Sequence, residues 1–362
     1  EMQDNKLPVV SLPQGAQSAA KVFGEQLEFL ESFKEVVLMF DMDEPGQKAA
    51  LECAEILSPG KAHIATLGLK DPSEMLMAGR GPEIIKAMWD AKAYRPDGIV
   101  EGVDLWDKLK DQEPKPFTTY PYPELQELTG GWRDGEIVVV GAGTKIGKST
   151  WTKEVAYHVG MSGTRVGIVA LEEQDTDTAR LLMGIHTNTP LLLDPKALDA
   201  EGYRKAFDEV MPNFAFYDYF GSLDPDRLIG KIRYLIKGLG CTRIILDHIS
   251  MAISGADGGS DERRTIDKLM TDVASLGQET EAGIMVVTHL RKPPGDAKGY
   301  DEGRAVTLND FRGSGSIAQI GYDLIGLERN LQGGDVRNLG QMRLLACRAT
   351  GESGLAGNMS YE

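Results

Sequence analysis

A glycine-rich run directly behind a β-branched one constrains this chain more than any other feature: Gly135-Glu-Ile-Val-Val-Val-Gly-Ala-Gly-Thr-Lys-Ile-Gly-Lys-Ser-Thr150. Residues 137–140 predict a short strand buried on both faces of a parallel sheet. A loop over 142–149 follows, and then a helix. That order suits a phosphate-binding loop. Small residues let backbone N–H groups turn toward phosphate oxygens, and the helix N-terminus adds partial positive charge. Lys148 is then placed to reach the β and γ oxygens, and Ser149 to offer an oxygen to Mg²⁺. Gly143, Gly147 and Thr150 complete the expected nucleotide contacts. Ala142 stands where the pattern usually has Gly and is small enough to serve. The plain alternative is a chance Gly-Lys-Ser behind a strand, but both flanks are of the right type. Hydrolysis of a nucleoside triphosphate is the expectation.

Strand and helix signals then alternate, which predicts an α/β unit with a parallel sheet. Strands are expected over 165–171, 214–217, 242–246, 283–288, 322–327 and near 342–346, with long helices over 225–239 and 261–281. Ligands of such sheets sit beyond the C-terminal strand ends, and several of these ends are polar. Asp247 closes Ile244-Ile-Leu-Asp247, a Walker B strand, and would hold Mg²⁺ directly or through water. Glu172 and Glu173 end another strand, where a carboxylate can orient and deprotonate an attacking water. Glu172 is favoured for this, with Glu173 in solvent. His289 ends a third strand as a sensor of the γ-phosphate; the alternative is a histidine satisfied by backbone.

Upstream, strands are expected over 8–12, 36–40 and 63–67, with helices over 16–33, 47–56 and 82–89. Asp41 and Asp43 fall at the edge of the second strand. Extended backbone would aim both at one Mg²⁺ held by hard oxygens; the alternative is an acid pair capping the next helix. Asp-x-Asp behind a buried strand resembles the metal-binding half of a Toprim domain, the fold shared by topoisomerases and primases. That family also uses a Glu from an earlier strand, and none precedes Pro8, so a working primase centre is not expected. Residues 1–91 are read as a partial Toprim-like domain and 92–123 as a linker. A short helix over 103–110 in that linker cannot bury Val103, Leu105, Trp106 and Leu109 by itself, and needs a partner such as a neighbouring subunit. Residues 124–362 form the nucleotide-hydrolysing domain.

The ordered segments Gly-Lys-Ser-Thr, Leu171-Glu-Glu173, "IILDHIS", "THLRKP", "DFRGSGSIAQ", "GLERN" and "CRATGESGLAG" together resemble the phage-type replicative primase–helicases. Those ring helicases of T-odd phages are related to mitochondrial Twinkle and to bacterial replicative helicases. The resemblance runs through most of 100–361. It implies a RecA-like core, a hexameric or heptameric ring, ATP or dTTP as substrate, and 5′→3′ travel on single-stranded DNA at a replication fork, with a DNA polymerase as a further partner. It makes Arg348 an arginine finger given to the neighbouring subunit, and Arg329 with Tyr361 a pair that sandwiches the base. DNA contacts would come from the Gly- and Ser-rich 251–260 and from Arg291, Lys292, Lys298, Arg312, Gly313 and Ser314, each of which could alternatively be an ordinary solvated loop residue. Such backbone contacts hold without reading sequence. Two departures stand out: Ala346 where the family usually has Lys, and Ala318 where it usually has Arg. A RecA-like recombinase or clock-type ATPase, and a ring scaffold that does not unwind DNA, are the rival readings.

A net charge of −16 excludes a uniformly basic nucleic-acid surface but not a local one. No apolar run is long enough for a membrane span or a secretory signal. Cys53, Cys241 and Cys347 are far apart and lack a Cys-x-x-Cys pair, so reduced structural thiols are expected rather than a disulfide or zinc site. A cytosolic setting, such as an infected bacterial cell, is expected before a mitochondrial one. The start at Glu1, without Met, suggests a fragment.

Overall fold

The computed structural model describes residues 8–361 except 14, 97, 220–223, 250–259, 294, 296 and 312–314. It divides into two units, Glu1–Glu113 and Pro114–Glu362.

The first unit runs α1 (Ala19–Glu25), α2 (Leu27–Glu31), β1 (Val36–Leu38), α3 (Glu44–Ile56), β2 (Ala62–Ile64), α4 (Pro72–Met77), α5 (Gly81–Trp89) and β3 (Lys92–Ala93). β1 and β2 pair in parallel and β3 adds antiparallel to β2. Phe23, Leu30, Leu38, Cys53 and Leu57 form its core. Residues 8–12, expected as a strand, form none: Val9 and Val10 are exposed and, among the described residues, no strand pairs with them. β propensity without a partner leaves a row of unpaired amides, so the segment stays irregular. Lys92–Ala93, expected in the linker, is instead the third strand. Helix α3 starts earlier than expected because Asp43 accepts from Gly46 N at 3.0 Å and Pro45 suits the first turn. A short α6 (Trp106–Leu109) follows, with Val103, Trp106 and Leu109 exposed, in keeping with an apolar face that its own unit does not cover.

The second unit begins earlier than position 124, because Phe117 already belongs to a strand. It runs β4 (Phe117–Thr118), α7 (Pro123–Thr129), β5 (Trp132–Arg133), β6 (Ile137–Ala142), α8 (Lys148–Met161), β7 (Val166–Ala170), α9 (Asp175–Thr187), α10 (Ala200–Val210), β8 (Phe214–Phe216), α11 (Pro225–Arg233), β9 (Arg243–Asp247), α12 (Ser260–Thr280), β10 (Gly283–His289), α13 (Gly315–Ile320), β11 (Asp323–Arg329), β12 (Leu339–Cys347) and β13 (Gly354–Ser360). One sheet carries eight strands in the order β8-β7-β9-β10-β6-β11-β12-β13. The first six are parallel, and β12 and β13 are antiparallel. The expected final strand is therefore antiparallel, and β13 is an addition to the expected set. The stretch from β11 to β12 is too short for a parallel crossover, so the chain must turn straight back. Among the described residues no helix is long and apolar enough to cross a membrane, and all three cysteines are buried thiols.

β6 is buried along its whole length. Val138 and Val140 enter the core on one face, Ile137 and Val139 the core on the other. Each such side chain contributes about 1.5–3 kcal/mol on burial, which makes this strand the anchor of the sheet. At its exit Gly141 is required: a Cβ there would lie 2.6 Å from the Phe311 ring.

Arg243 ties the unit's first turn to the sheet. Its guanidinium donates to Asp134 Oδ1 at 2.6 Å, the Trp132 carbonyl at 2.9 Å and Thr118 Oγ1 at 3.1 Å, and lies 5.3 Å from the Trp132 ring centre. The planar fork meets all three at once, which a lysine could not. Arg243→Ala is expected to lower the stability of this unit by about 3 kcal/mol by leaving a partly buried carboxylate and carbonyl without their donor. Urea unfolding of variant and parent measures it.

Candidate active site

Parallel strands end together, and the register makes the alignment specific. His289 lies opposite Ala142 across β10 and β6, and Asp247 opposite Ala170 across β9 and β7. The loops beyond these ends enclose a pocket of about 870 Å³ whose walls include Gly147, Lys148, Ser149, Thr150, Glu172, Asp247, His248 and His289. Most of the expected nucleotide residues thus share one cavity. Gly147 sits at φ 109°, where a side chain would be strained, and a Cβ would strike the Tyr361 ring at 2.4 Å. Tyr361 therefore abuts the phosphate loop, and the Arg329 guanidinium lies 4.2 Å from its ring centre. Gly143 is equally confined, by Tyr300. Ala142 is the last residue of β6, extended and paired on both sides, so the missing glycine costs the turn nothing.

Lys148 is buried and donates to the carbonyls of Ala142 at 3.2 Å and Gly143 at 3.1 Å and to His289 Nδ1 at 3.1 Å. Burial lowers its pKa, against the opposing pull of Asp247 and Glu172. Lys153, which the sequence reading missed, is buried one helical turn beyond Ser149. It ion-pairs with Glu173 and lies 3.8 Å from Asp247 Oδ2. Glu173 also accepts from Thr178 Oγ1 at 3.2 Å, so the expectation that it faces solvent is corrected: a buried lysine needs its charge. Glu172 turns the other way, into the pocket, with Oε1 2.9 Å from His248 Nε2.

His248 was also missed, being simply the residue after the Walker B acid. Its only signal was a second ionisable side chain at a strand end. It is buried, and its Nε2 lies 2.9 Å from His289 Nε2, the rings meeting edge to face at 4.2 Å. Among the described residues Glu172, His248 and His289 are the group whose donor atoms converge closely enough for a metal, within 4.8 Å. Two imidazoles are a poor match for Mg²⁺. Ser149 and Asp247 offer hard oxygens in the same pocket and fit it.

The other expected residues are dispersed. Arg291 and Lys292, expected to contact DNA, line this same pocket beside the residues expected to bind nucleotide. Lys298 is exposed beyond it. Arg312, Gly313, Ser314 and the stretch 250–259 lie outside the described residues. Arg348 is not part of the pocket wall; it donates to the Gln319 carbonyl and stacks 4.8 Å over the Tyr322 ring. In the first unit Asp43 caps α3 and lies 3.7 Å from Lys70 Nζ, the use foreseen as the alternative to metal binding. Among the described residues no third acid or histidine joins Asp41 and Asp43 at metal distance.

Burial, Lys148 and His248, in that order, hold His289 down to a pKa of about 4. The ring is neutral in the folded protein at pH values where an unfolded histidine, near 6.5, takes a proton. The unfolded state then binds more protons, so stability falls as the pH drops from about 6.5 toward 4. His289→Asn is expected to flatten that part of the stability profile, measured by urea unfolding across the range.

Residues 118–330 match the family model of the DnaB-like helicase C-terminal domain, and residues 9–76 match a Toprim-like model. The DNA helicase/primase of Enterobacteria phage T3 is 39% identical over 372 residues, covering 100% of this chain and 65% of that protein. The chain thus spans somewhat less than two thirds of that relative. Two solved structures share the fold at 16% identity and a TM-score of 0.57. One is a DnaB-like replicative helicase described with its interactions with primase, matched over 80% of this chain and 71% of that one. The other is described as an ATPase domain, matched over 74% of this chain and 100% of that one.

Proposed function

The chain belongs to the DnaB-like helicase C-terminal domain family, and from that premise we propose that it hydrolyses a nucleoside triphosphate to drive itself along single-stranded DNA and separate duplex as a hexameric ring. One observation carries the reading. Lys148, Ser149, Glu172, Asp247 and His289 converge on one pocket, while Arg348 of the same chain stands outside it. An Arg348 that stands apart from its own chain's pocket, whose wall already carries Lys148, Arg291 and Lys292, suits a site shared between neighbouring copies.

In this reading Lys148 gives up the neutral partners it now holds, two carbonyls and an imidazole, for the phosphate oxygens. Ser149 and Asp247 hold Mg²⁺, which when bound neutralises phosphate charge. Glu172 takes the proton of the attacking water, and Lys153 keeps Glu173 and Asp247 in place. Tyr361 and Arg329, which here stack on each other at 4.2 Å, would have to part to take the base of ATP or dTTP between them. His289 lines the pocket with Leu290, Arg291 and Lys292 directly behind it, so in this reading a change at the γ-position would reach the residues expected to contact DNA. Travel is 5′→3′ by resemblance, and no primer synthesis is proposed for the first unit.

Arg348→Ala and Lys148→Ala subunits, each inactive alone, are expected to recover hydrolysis when mixed, because a site can then pair one subunit's Lys148 with its neighbour's Arg348, a finger worth roughly 10³–10⁵ in rate. No recovery in mixed rings would contradict shared sites. Lys298→Gln is expected to lower the slope of log affinity for single-stranded DNA against log salt by about 0.7, the loss of one phosphate contact. Anisotropy titrations across a salt series measure it.

A further inference from the structure

We propose that His248 is a positioning residue that relays the presence of the γ-phosphate from His289 to the water-activating carboxylate Glu172. The inference rests on the roles given above to Glu172 and His289, and adds the link between them.

His248 is 4% exposed, and its Nε2 has two neighbours at 2.9 Å, Glu172 Oε1 and His289 Nε2. That nitrogen carries at most one proton, so it cannot donate to Glu172 while accepting from His289. Lys148 decides which it does. An ammonium only donates, so His289 Nδ1, 3.1 Å from Lys148 Nζ, must accept. Neutral His289 then keeps its proton on Nε2 and aims it at His248. His248 in turn holds its own proton on Nδ1, a buried atom with no hydrogen-bond partner among the described residues. In this tautomer His248 turns a lone pair toward the Glu172 carboxylate, and both the repulsion and the orphaned N–H are unfavourable.

A phosphate oxygen in reach of His289 Nδ1 reverses the arrangement. Nδ1 becomes the donor and Nε2 the acceptor. His248 then carries its proton on Nε2, within reach of Glu172. One proton leaves Nε2 of His289 and one arrives at its Nδ1; one leaves Nδ1 of His248 and one arrives at its Nε2. No net proton enters or leaves the pair. The orphaned donor disappears and the carboxylate gains one. Glu172 is thereby held for catalysis when the γ-phosphate is in place, which restrains idle turnover.

The test uses the full chain with Mg²⁺, ATP or dTTP, and single-stranded DNA. His248→Leu is expected to lower kcat roughly 10–100-fold, as loss of an orienting partner does, with little change in nucleotide KM. His248→Gln should recover most of that loss, because its amide N–H can still donate to Glu172. In a Glu172→Gln background His248→Leu should cost nothing further. Additive losses, or a Gln variant no better than Leu, would overturn the relay alone. Full-speed turnover by Glu172→Gln would overturn both the relay and the assignment of the base. The chain has only five histidines, so ¹⁵N imidazole spectra give a readout that needs no variant. A non-hydrolysable triphosphate should exchange the Nδ1 and Nε2 signatures of two rings, and unchanged tautomers would count against the relay.

Discussion

Burial of β6 on both faces fixes the sheet edge at which the candidate site residues Lys148, Glu172, Asp247 and His289 gather. Ile137 to Val140 bury their side chains on both faces and take their amides out of water, so a strand must pair on each side and a helix layer must cover each face. β10 and β11 supply the pairing, and their hydrogen bonds fix the register in which His289 stands level with Ala142. Parallel direction then brings all the C-terminal ends to one edge. The glycine-rich loop, Asp247, Glu172 and His289 converge because the parallel strands that carry them end at that edge.

Inside the pocket the governing constraint is charge in a poorly solvated space. Two lysines on one helix, Lys148 and Lys153, are both buried, and burial lowers the pKa of each. Their partners divide the labour. Lys153 is bound to Glu173 and close to Asp247, carboxylates that satisfy its charge outright, and so it serves the architecture. Lys148 is held by carbonyls and an imidazole, which solvate a cation but do not neutralise it, and so it remains responsive to an incoming anion. The neutrality of His289 follows from the same constraint, since a second cation beside Lys148 would be expelled.

The smaller unit follows other rules. Three short strands and a modest core leave α6 with an apolar face its own unit does not cover, and the acid pair at the end of β1 is drawn into helix capping and a contact with Lys70. Short strands give that sheet little to align, so nothing there gathers polar groups as the larger sheet does.

Local order was legible in the residues themselves. The strand–glycine loop–helix succession, the acid after Ile244-Ile-Leu246 and the histidine after Val287-Thr288 follow from periodicity and from what a phosphate loop demands, and each lies where it was expected. Tertiary structure decided the pairings between distant segments: Arg243 with Asp134, Lys153 with Glu173, and His248 between Glu172 and His289. It also decided that Arg291 and Lys292 line the same pocket as Lys148, that residues 8–12 find no strand partner among the described residues, and that β12 returns antiparallel with β13 beside it. Backbone propensity and side-chain period act over a few residues and are written in the chain. Strand order and register arise when segments far apart in sequence compete for the same buried edge, and that competition is settled only in the folded molecule.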